Sequence, residues 1–141
     1  MHLALTQLNY LAVLGTAVAG FLLGWLWYSP VLFAKPWMAE MKYTPEKMKE
    51  CAEQGMAKFF LLGFLYTLLG TFGLAVLLRA HGPTSWVKGA EFGAFVGLIL
   101  IGARLLNAAV WEQRTLKLQA INLGYELALF AVQGASLAVW R

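Results

Sequence analysis

The sequence predicts an all-α fold, an integral membrane bundle of four antiparallel transmembrane helices, and three observations support this prediction. Hydrophobic residues make up 60% of the chain and charged residues 13%, whereas soluble domains carry about 25% charged residues. Four apolar stretches are each long enough to cross a bilayer core, which takes about 20 helical residues. The alternation expected of barrel strands is absent, so helices are the form that satisfies the backbone in lipid. The length of 141 residues predicts a single domain.

The predicted spans follow the four apolar stretches, at residues 8–29, 58–78, 86–111 and 116–140. The first is expected to be retained rather than cleaved as a signal peptide, because it lacks a preceding Lys or Arg and continues to Tyr28. Pro30 predicts where this span ends, since it disfavours helical geometry at Ser29 and has no backbone N–H to donate.

The first loop, residues 31–57, is predicted to be an interfacial segment that contains one short amphipathic helix. In "TPEKMKECAEQG", Thr44 is a suitable N-cap, Pro45 suits the first helical position, and Gly55 marks the end. Two interpretations stay open at this point: the helix lies along the membrane interface, or it merely connects two spans.

The distribution of Lys and Arg predicts the orientation of the bundle. Loops one and three carry seven of these residues, namely Lys35, Lys42, Lys47, Lys49, Lys58, Arg114 and Lys117. The opposite side carries three, Arg79, Lys88 and Arg141. Because cytoplasmic loops are enriched in Lys and Arg, loops one and three are predicted to be cytoplasmic and both termini non-cytoplasmic.

Two charged residues stand out because they fall inside predicted spans, Arg104 in the third and Glu126 in the fourth. A charge at mid-membrane costs about 2.5–3.5 kcal/mol on insertion scales, so it normally faces a partner or water. Counted from the turn near Arg114, the two residues lie at depths of about 15 and 18 Å at 1.5 Å per residue. Antiparallel packing would therefore bring them to one level, with Asn107 and Asn122 matched nearer the turn.

Helical phase at 100° per residue agrees with this pairing. One face of the fourth span carries the polar residues Gln119, Asn122, Glu126 and Gln133. One face of the third carries Gly89, Gly93, Gly97, Arg104 and Asn107. The polar layer is open to two interpretations: a structural ion pair that fixes helix register, or the lining of a path for an ion, a proton or a polar ligand.

Small residues on the first two spans predict further helix contacts, because glycines let membrane helices approach closely. Gly20 and Gly24 share one face of the first span with Thr16. The second span places four small or hydroxyl residues on one face, Gly63, Thr67, Gly70 and Thr71.

Two stretches, "WLWYSPVLFAKPWM" at the end of the first span and "WEQRTLKLQAINLGYE" leading into the fourth, resemble the DUF1761 family of small bacterial membrane proteins. The resemblance implies a four-helix membrane domain and a location in the bacterial inner membrane, but supplies no activity and no catalytic residue. Both stretches belong to cytoplasmic ends in the predicted topology. We therefore expect a cluster of residues at one end of the bundle, comprising Trp27, Tyr28, Ser29, Pro30, Trp37, Trp111, Glu112 and Arg114.

The function predicted from these features is non-enzymatic helix association, either in a homo-oligomer or as an accessory subunit of a membrane complex. The alternative is a small transporter or channel whose polar path runs through Arg104 and Glu126. The single Cys51 excludes a multi-cysteine metal site, and no metal or other cofactor is expected. Membrane lipids and other membrane subunits are the expected partners, and nucleic acid is not, since the net charge of +4 is spread over the loops.

Overall fold

The computed structural model describes residues 8–83 and 85–140, and this part of the chain is all-helical without a strand. Arg141, one of the cations counted above, lies outside the described residues. Six helices follow one another: α1 (Tyr10–Trp27), α2 (Ala34–Glu40), α3 (Pro45–Glu53), α4 (Met56–His81), α5 (Trp86–Glu112) and α6 (Leu116–Val139). The predicted all-α class is confirmed.

Three of the helices, α1, α4 and α5, are long and apolar enough to cross a membrane. All three expose large apolar side chains, among them Leu22, Leu69 and Ile99, and an apolar surface of this kind suits contact with lipid. The 24-residue α6 is long enough but is not among them, since polar side chains such as Glu126 and Gln133 lower its apolarity. The structure therefore supports membrane helices, while the prediction of four spans is not confirmed.

Side-chain caps begin four of the helices. At each, a side-chain oxygen accepts the backbone N–H three residues further on; the capping residues are Asn9, Thr44, Ser85 and Thr115. Two of the long helices end at a residue in the left-handed conformation, α4 at Gly82 and α5 at Gln113. Such residues stop a helix because the next N–H no longer follows the helical path.

The first loop contains two helices, where the sequence predicts one. The predicted helix is α3, and its cap is the predicted Thr44, whose hydroxyl accepts from the N–H of Lys47 at 3.3 Å. The additional helix is α2, which has only seven residues. Its Pro36 lies in the first turn, where a missing N–H costs no helical hydrogen bond. Because α1 ends at Trp27, the chain has six residues in which to turn before α2 begins.

The helix α6 lies at the centre and packs against α1, α4 and α5. Its Leu129, Phe130 and Leu137 form the core together with buried residues of all three neighbours, including Val13 and Leu74. The residue contacts show that α1 and α6 run in opposite directions. Antiparallel packing against α1 brings Trp140 beside Gly15 at one end and Tyr125 beside Gly24 towards the other.

The closest helix contact joins α5 to α6. A Cβ atom added at Gly89 or Gly93 would overlap the backbone of α6, at Gly134 and Phe130 respectively, and one added at Gly134 would overlap Gly89. Two helix backbones can approach this closely only where neither carries a side chain between them. The three glycines therefore determine the distance between α5 and α6.

A π-helical stretch, Gly97–Gly102, interrupts α5. Residues of α5 that face α6 are spaced by four up to Gly97, and the next buried glycine, Gly102, follows after five. A π turn holds more residues than an α turn, so every residue beyond it is rotated relative to a uniform α-helix. The helical phase of a uniform α-helix, from which the face of the third span is predicted, therefore holds only for the first half of α5.

The α5–α6 contact yields a stability prediction. Gly93→Ala should lower the free energy of unfolding by about 1–3 kcal/mol, because the new methyl group meets backbone that cannot move aside. Thermal unfolding of the purified protein in detergent micelles, followed by circular dichroism, measures this change.

Gly63→Ala is the matched control, since a Cβ at that position of α4 would meet only the Phe21 ring, at an ordinary contact distance of 3.6 Å. It shares the gain in helix propensity from the same substitution. Equal unfolding midpoints for the two variants would contradict the prediction.

Candidate functional site

The structure does not form the predicted ion pair between Arg104 and Glu126. Arg104 is exposed on the surface of α5, Glu126 is half-buried, and no salt bridge joins them. Asn107 is likewise exposed, whereas Asn122 is half-buried. The physical reason is the π-helical stretch, which rotates the second half of α5 so that Arg104 and Asn107 leave the face towards α6. The predicted pairing is therefore wrong for this structure.

A buried polar chain instead connects α6 to α4. The Gln133 side-chain amide donates to the Thr71 hydroxyl at 2.7 Å, and Thr71 donates to the Thr67 carbonyl at 2.8 Å. Gln133 is 1% exposed, and its side-chain oxygen has no hydrogen-bond partner. The Thr16 hydroxyl of α1 is also buried without a partner. Buried polar groups are normally paired, so this layer fixes how α4 meets α6 and leaves two acceptors unused.

The five glycines predicted to mediate helix packing lie at helix contacts. Gly20 faces Gln133 and Leu129, and Gly24 faces the hydroxyl of Tyr125. The other three, Gly89, Gly93 and Gly97, face α6. Gly70 differs from the expectation for the second span, because it is exposed and has no neighbour within 4 Å of a Cβ.

A cleft of about 450 Å³ lies where the end of α1 meets the turn between α5 and α6. We call it the end cleft, and its lining comprises Tyr28, Trp37, Met41, Leu105, Ala108, Glu112, Arg114, Leu118, Gln119 and Asn122. Its residues come from four parts of the chain: the end of α1, the α2 region, the end of α5 and the start of α6. The two stretches that carry the family resemblance thus both contribute to it.

Aromatic side chains anchor the end of α1 to α6 beside the cleft. The Trp27 indole N–H donates to the Ile121 carbonyl at 3.2 Å, and the Tyr28 hydroxyl donates to the side-chain oxygen of Asn122 at 3.1 Å. The Trp27 ring lies against Gly124, where a Cβ would come within 3.2 Å of it. The Tyr28 ring meets Trp37 edge-on at 5.5 Å. Trp27 and Tyr28 thus attach the end of α1 to α6, and Tyr28 and Trp37 together form an aromatic wall of the cleft.

Charged residues line one side of the end cleft. Glu112 and Arg114 form a salt bridge of 2.9 Å, and a guanidinium N–H of Arg114 also contacts the Met41 sulfur at 3.2 Å. Further out, Glu40 accepts a hydrogen bond from the Thr115 hydroxyl and lies 3.5 Å from the Lys117 ammonium. The hydrogen bond from Thr115, followed by the contact with Lys117, lowers the pKa of Glu40. These contacts attach α2 to the start of α6.

Gln119 gives the end cleft an unused polar group. Its side chain is 7% exposed, and its side-chain oxygen is buried without a hydrogen-bond partner. The sequence places Gln119 in the polar layer with Glu126, whereas the structure places it among the cleft residues. An unpaired buried acceptor is costly, so a hydrogen-bond donor that reaches this oxygen would be bound favourably.

The predicted end cluster is brought together in part. Tyr28, Trp37, Glu112 and Arg114 line the end cleft. Trp111 is 82% exposed and does not line it. The remaining members act nearby: Trp27 packs on α6, the Ser29 hydroxyl donates to the Leu26 carbonyl at 2.7 Å, and Pro30 is exposed. Four cleft residues are not predicted from the sequence, because they are apolar and their spacing is ordinary: Met41, Leu105, Ala108 and Leu118.

The buried polar chain predicts an asymmetric response to substitution. Thr71→Val should destabilise the protein by about 1–3 kcal/mol, because it leaves the Gln133 amide buried without a partner. Gln133→Met conserves volume and removes both polar atoms, so it should cost less than about 1.5 kcal/mol. Unfolding by a denaturing detergent measures both. A larger loss for Gln133→Met than for Thr71→Val would contradict this account.

The anchor at the end of α1 predicts that Tyr28→Phe lowers the free energy of unfolding by about 0.5–1.5 kcal/mol, the usual contribution of one hydrogen bond. Tyr43→Phe is the matched control, since the Tyr43 ring also packs on Trp37 but its hydroxyl forms no hydrogen bond with the described residues. Thermal unfolding in micelles distinguishes them. If both variants unfold at the same temperature, the Tyr28–Asn122 bond has no stabilising role.

Comparison with known proteins identifies the family of the chain and nothing more specific. No curated protein and no solved structure matches it. A family model described as "Protein of unknown function (DUF1761)" matches residues 11–138, a range that includes every residue lining the end cleft. The chain therefore belongs to the DUF1761 family.

Proposed function

We propose that this chain is a non-enzymatic, multi-pass membrane protein that associates with a second copy of itself through an exposed face of α4. The observation that carries the proposal is a pair of glycines, Gly70 and Gly73, with nothing within 4 Å of a Cβ at either position. Association with a different membrane subunit through the same face is the outcome that the experiment below would distinguish.

The two glycines contrast with those of the other long helices. Every glycine of α1, α5 and α6 has atoms within 4 Å of its Cβ position, in a neighbouring helix in almost every case. Glycine lowers helix propensity by about 1 kcal/mol relative to Ala, so a glycine in a helix usually serves close packing or a turn. Gly70 and Gly73 lie inside α4 and satisfy neither need within one copy.

The surroundings of the glycines form a face suited to a second helix. At 100° per residue, Gly70 and Gly73 share an arc of about 100° with Tyr66, Leu69 and Leu77, all of which are exposed. Apolar side chains alone do not drive association in lipid, because lipid tails are equally apolar. Close approach at glycines, flanked by larger side chains that interdigitate, is the usual source of such association.

We further propose that α6 is a fourth span and that both termini are non-cytoplasmic, in a bacterial inner membrane. In support, α6 packs along α1 from Trp140 beside Gly15 to Ile121 beside Trp27, so it is as long as a helix that crosses the membrane. Its Gln119 and Gln133 are buried against neighbouring helices, which lets a less apolar helix reside in lipid. The excess of Lys and Arg in loops one and three supports the orientation.

A small transporter or channel is the alternative function, and it receives less support. The predicted polar path would need the side chains of Arg104 on α5 and Glu126 on α6 to face each other. Arg104 is exposed whereas Glu126 is half-buried, and no salt bridge joins them. Helix association is therefore the function that we favour.

The test uses Cys51, the one cysteine of the chain, which lies in α3 and accepts a fluorophore. Energy transfer between donor- and acceptor-labelled copies in lipid vesicles measures self-association as the protein is diluted with lipid. Replacing both Gly70 and Gly73 by Leu should weaken association at least tenfold, about 1.4 kcal/mol, because the added side chains separate the two helices.

Ala103→Leu is the matched control, since it adds bulk to an exposed position of α5, and it should associate like the wild type. Wild-type-like association of the double variant would overturn the proposal. A wild-type protein that stays monomeric at every dilution would also overturn the proposal. In that case, the face of α4 would contact a different membrane subunit.

A further inference from the structure

The end cleft has the features of a binding site, independently of self-association through α4. It holds an unpaired acceptor on Gln119, a salt-bridged acid and base on Glu112 and Arg114, and an aromatic wall formed by Tyr28 and Trp37. Its volume of about 450 Å³ lies in the range of small-ligand sites, about 300–1,000 Å³.

We propose that the end cleft binds a phosphoethanolamine group, which carries a primary ammonium and a phosphate. Gln119 indicates that the ligand carries an N–H or O–H donor, because its buried oxygen has no partner while its residue lines the cleft. An ammonium group supplies three donors and can satisfy both this oxygen and the Glu112 carboxylate.

The rim residues account for the phosphate. The Arg114 side chain is 38% exposed, and its guanidinium is engaged only by Glu112 and by the weakly accepting Met41 sulfur among the described contacts. A guanidinium binds phosphate oxygens in a two-pronged geometry. A zwitterionic ligand therefore suits Glu112 and Arg114 together, since it offers each residue an opposite charge when their salt bridge opens.

The remaining lining of the cleft is apolar except for one amide. Leu105, Ala108 and Leu118 contribute the apolar part, and Leu118 is buried. The Asn122 side-chain oxygen already accepts from Tyr28, which leaves its N–H₂ group to donate to a phosphate oxygen. Donors and acceptors thus converge on one short ligand.

The surroundings of the cleft favour the lipid form of this group. Trp111 and Trp25 are strongly exposed on α5 and α1, near the same end of these helices. Tryptophan is enriched at the level of lipid headgroups, which sets the cleft at the depth where a phosphatidylethanolamine headgroup lies. Free phosphoethanolamine has the same chemistry, so the experiment distinguishes the two sources.

The experiment measures thermal unfolding of the full chain in detergent micelles during titration with three probes. These are a short-chain phosphatidylethanolamine, the matching phosphatidylcholine, and free phosphoethanolamine. We expect saturable stabilisation of several degrees by phosphatidylethanolamine and none by phosphatidylcholine, whose trimethylammonium group has no N–H donor. Stabilisation by free phosphoethanolamine at the same concentration would identify a soluble ligand, and its absence would identify the lipid.

Two variants connect the stabilisation to the end cleft. Gln119→Leu should leave the ligand-free protein at least as stable, because an unpaired buried acceptor is removed, yet raise the half-saturating concentration at least tenfold. Glu112→Gln should also raise the half-saturating concentration of the lipid at least tenfold. Glu53→Gln is the matched control, since Glu53 is also exposed and forms a salt bridge, with Lys49, but does not line the cleft.

The inference is overturned if phosphatidylcholine stabilises the wild type as well as phosphatidylethanolamine, or if none of the probes does. It is also overturned if Gln119→Leu and Glu112→Gln respond like Glu53→Gln. Because Gln119→Leu is expected to fold as well as the wild type, a loss of its response reports binding rather than misfolding.

Discussion

The backbone contact between α5 and α6 is the constraint on which the rest of the structure depends. At Gly89, Gly93 and Gly134 the two helices touch through main-chain atoms, so their separation has almost no freedom. This contact holds α6 in the centre, where α1 and α4 reach it from other sides. It also sets the position of the α5–α6 turn, and hence of one wall of the end cleft.

Much of the fold follows from local patterns in the sequence. Runs of apolar residues predict the long helices, and the Thr44–Pro45 pair predicts the start of α3, where the structure has it. The seven-residue α2 escapes prediction because so short a helix carries no period of its own. The sequence also predicts that α6 is a fourth span, and the structure does not confirm this, because the polar residues of α6 reduce the apolarity that identifies spans.

The candidate site is less predictable, for two physical reasons. First, the pairing of Arg104 with Glu126 assumes a uniform α-helix, and the π-helical stretch Gly97–Gly102 breaks that assumption. Second, the end cleft joins residues as distant as Tyr28 and Asn122, whose proximity depends on tertiary packing. The family stretches indicate that both regions matter, but only the structure shows that Gln119 lies between them with an unused acceptor.

The outward rotation of Arg104 has a consequence for the surrounding bilayer. The residue lies eight positions before the end of α5 at Glu112, about 12 Å along the helix axis. A guanidinium exposed at that depth extends its side chain towards the headgroups and draws water and headgroups inward, because leaving the charge in hydrocarbon costs more. In a membrane, the outer side of α5 would therefore adjoin a locally thinned leaflet.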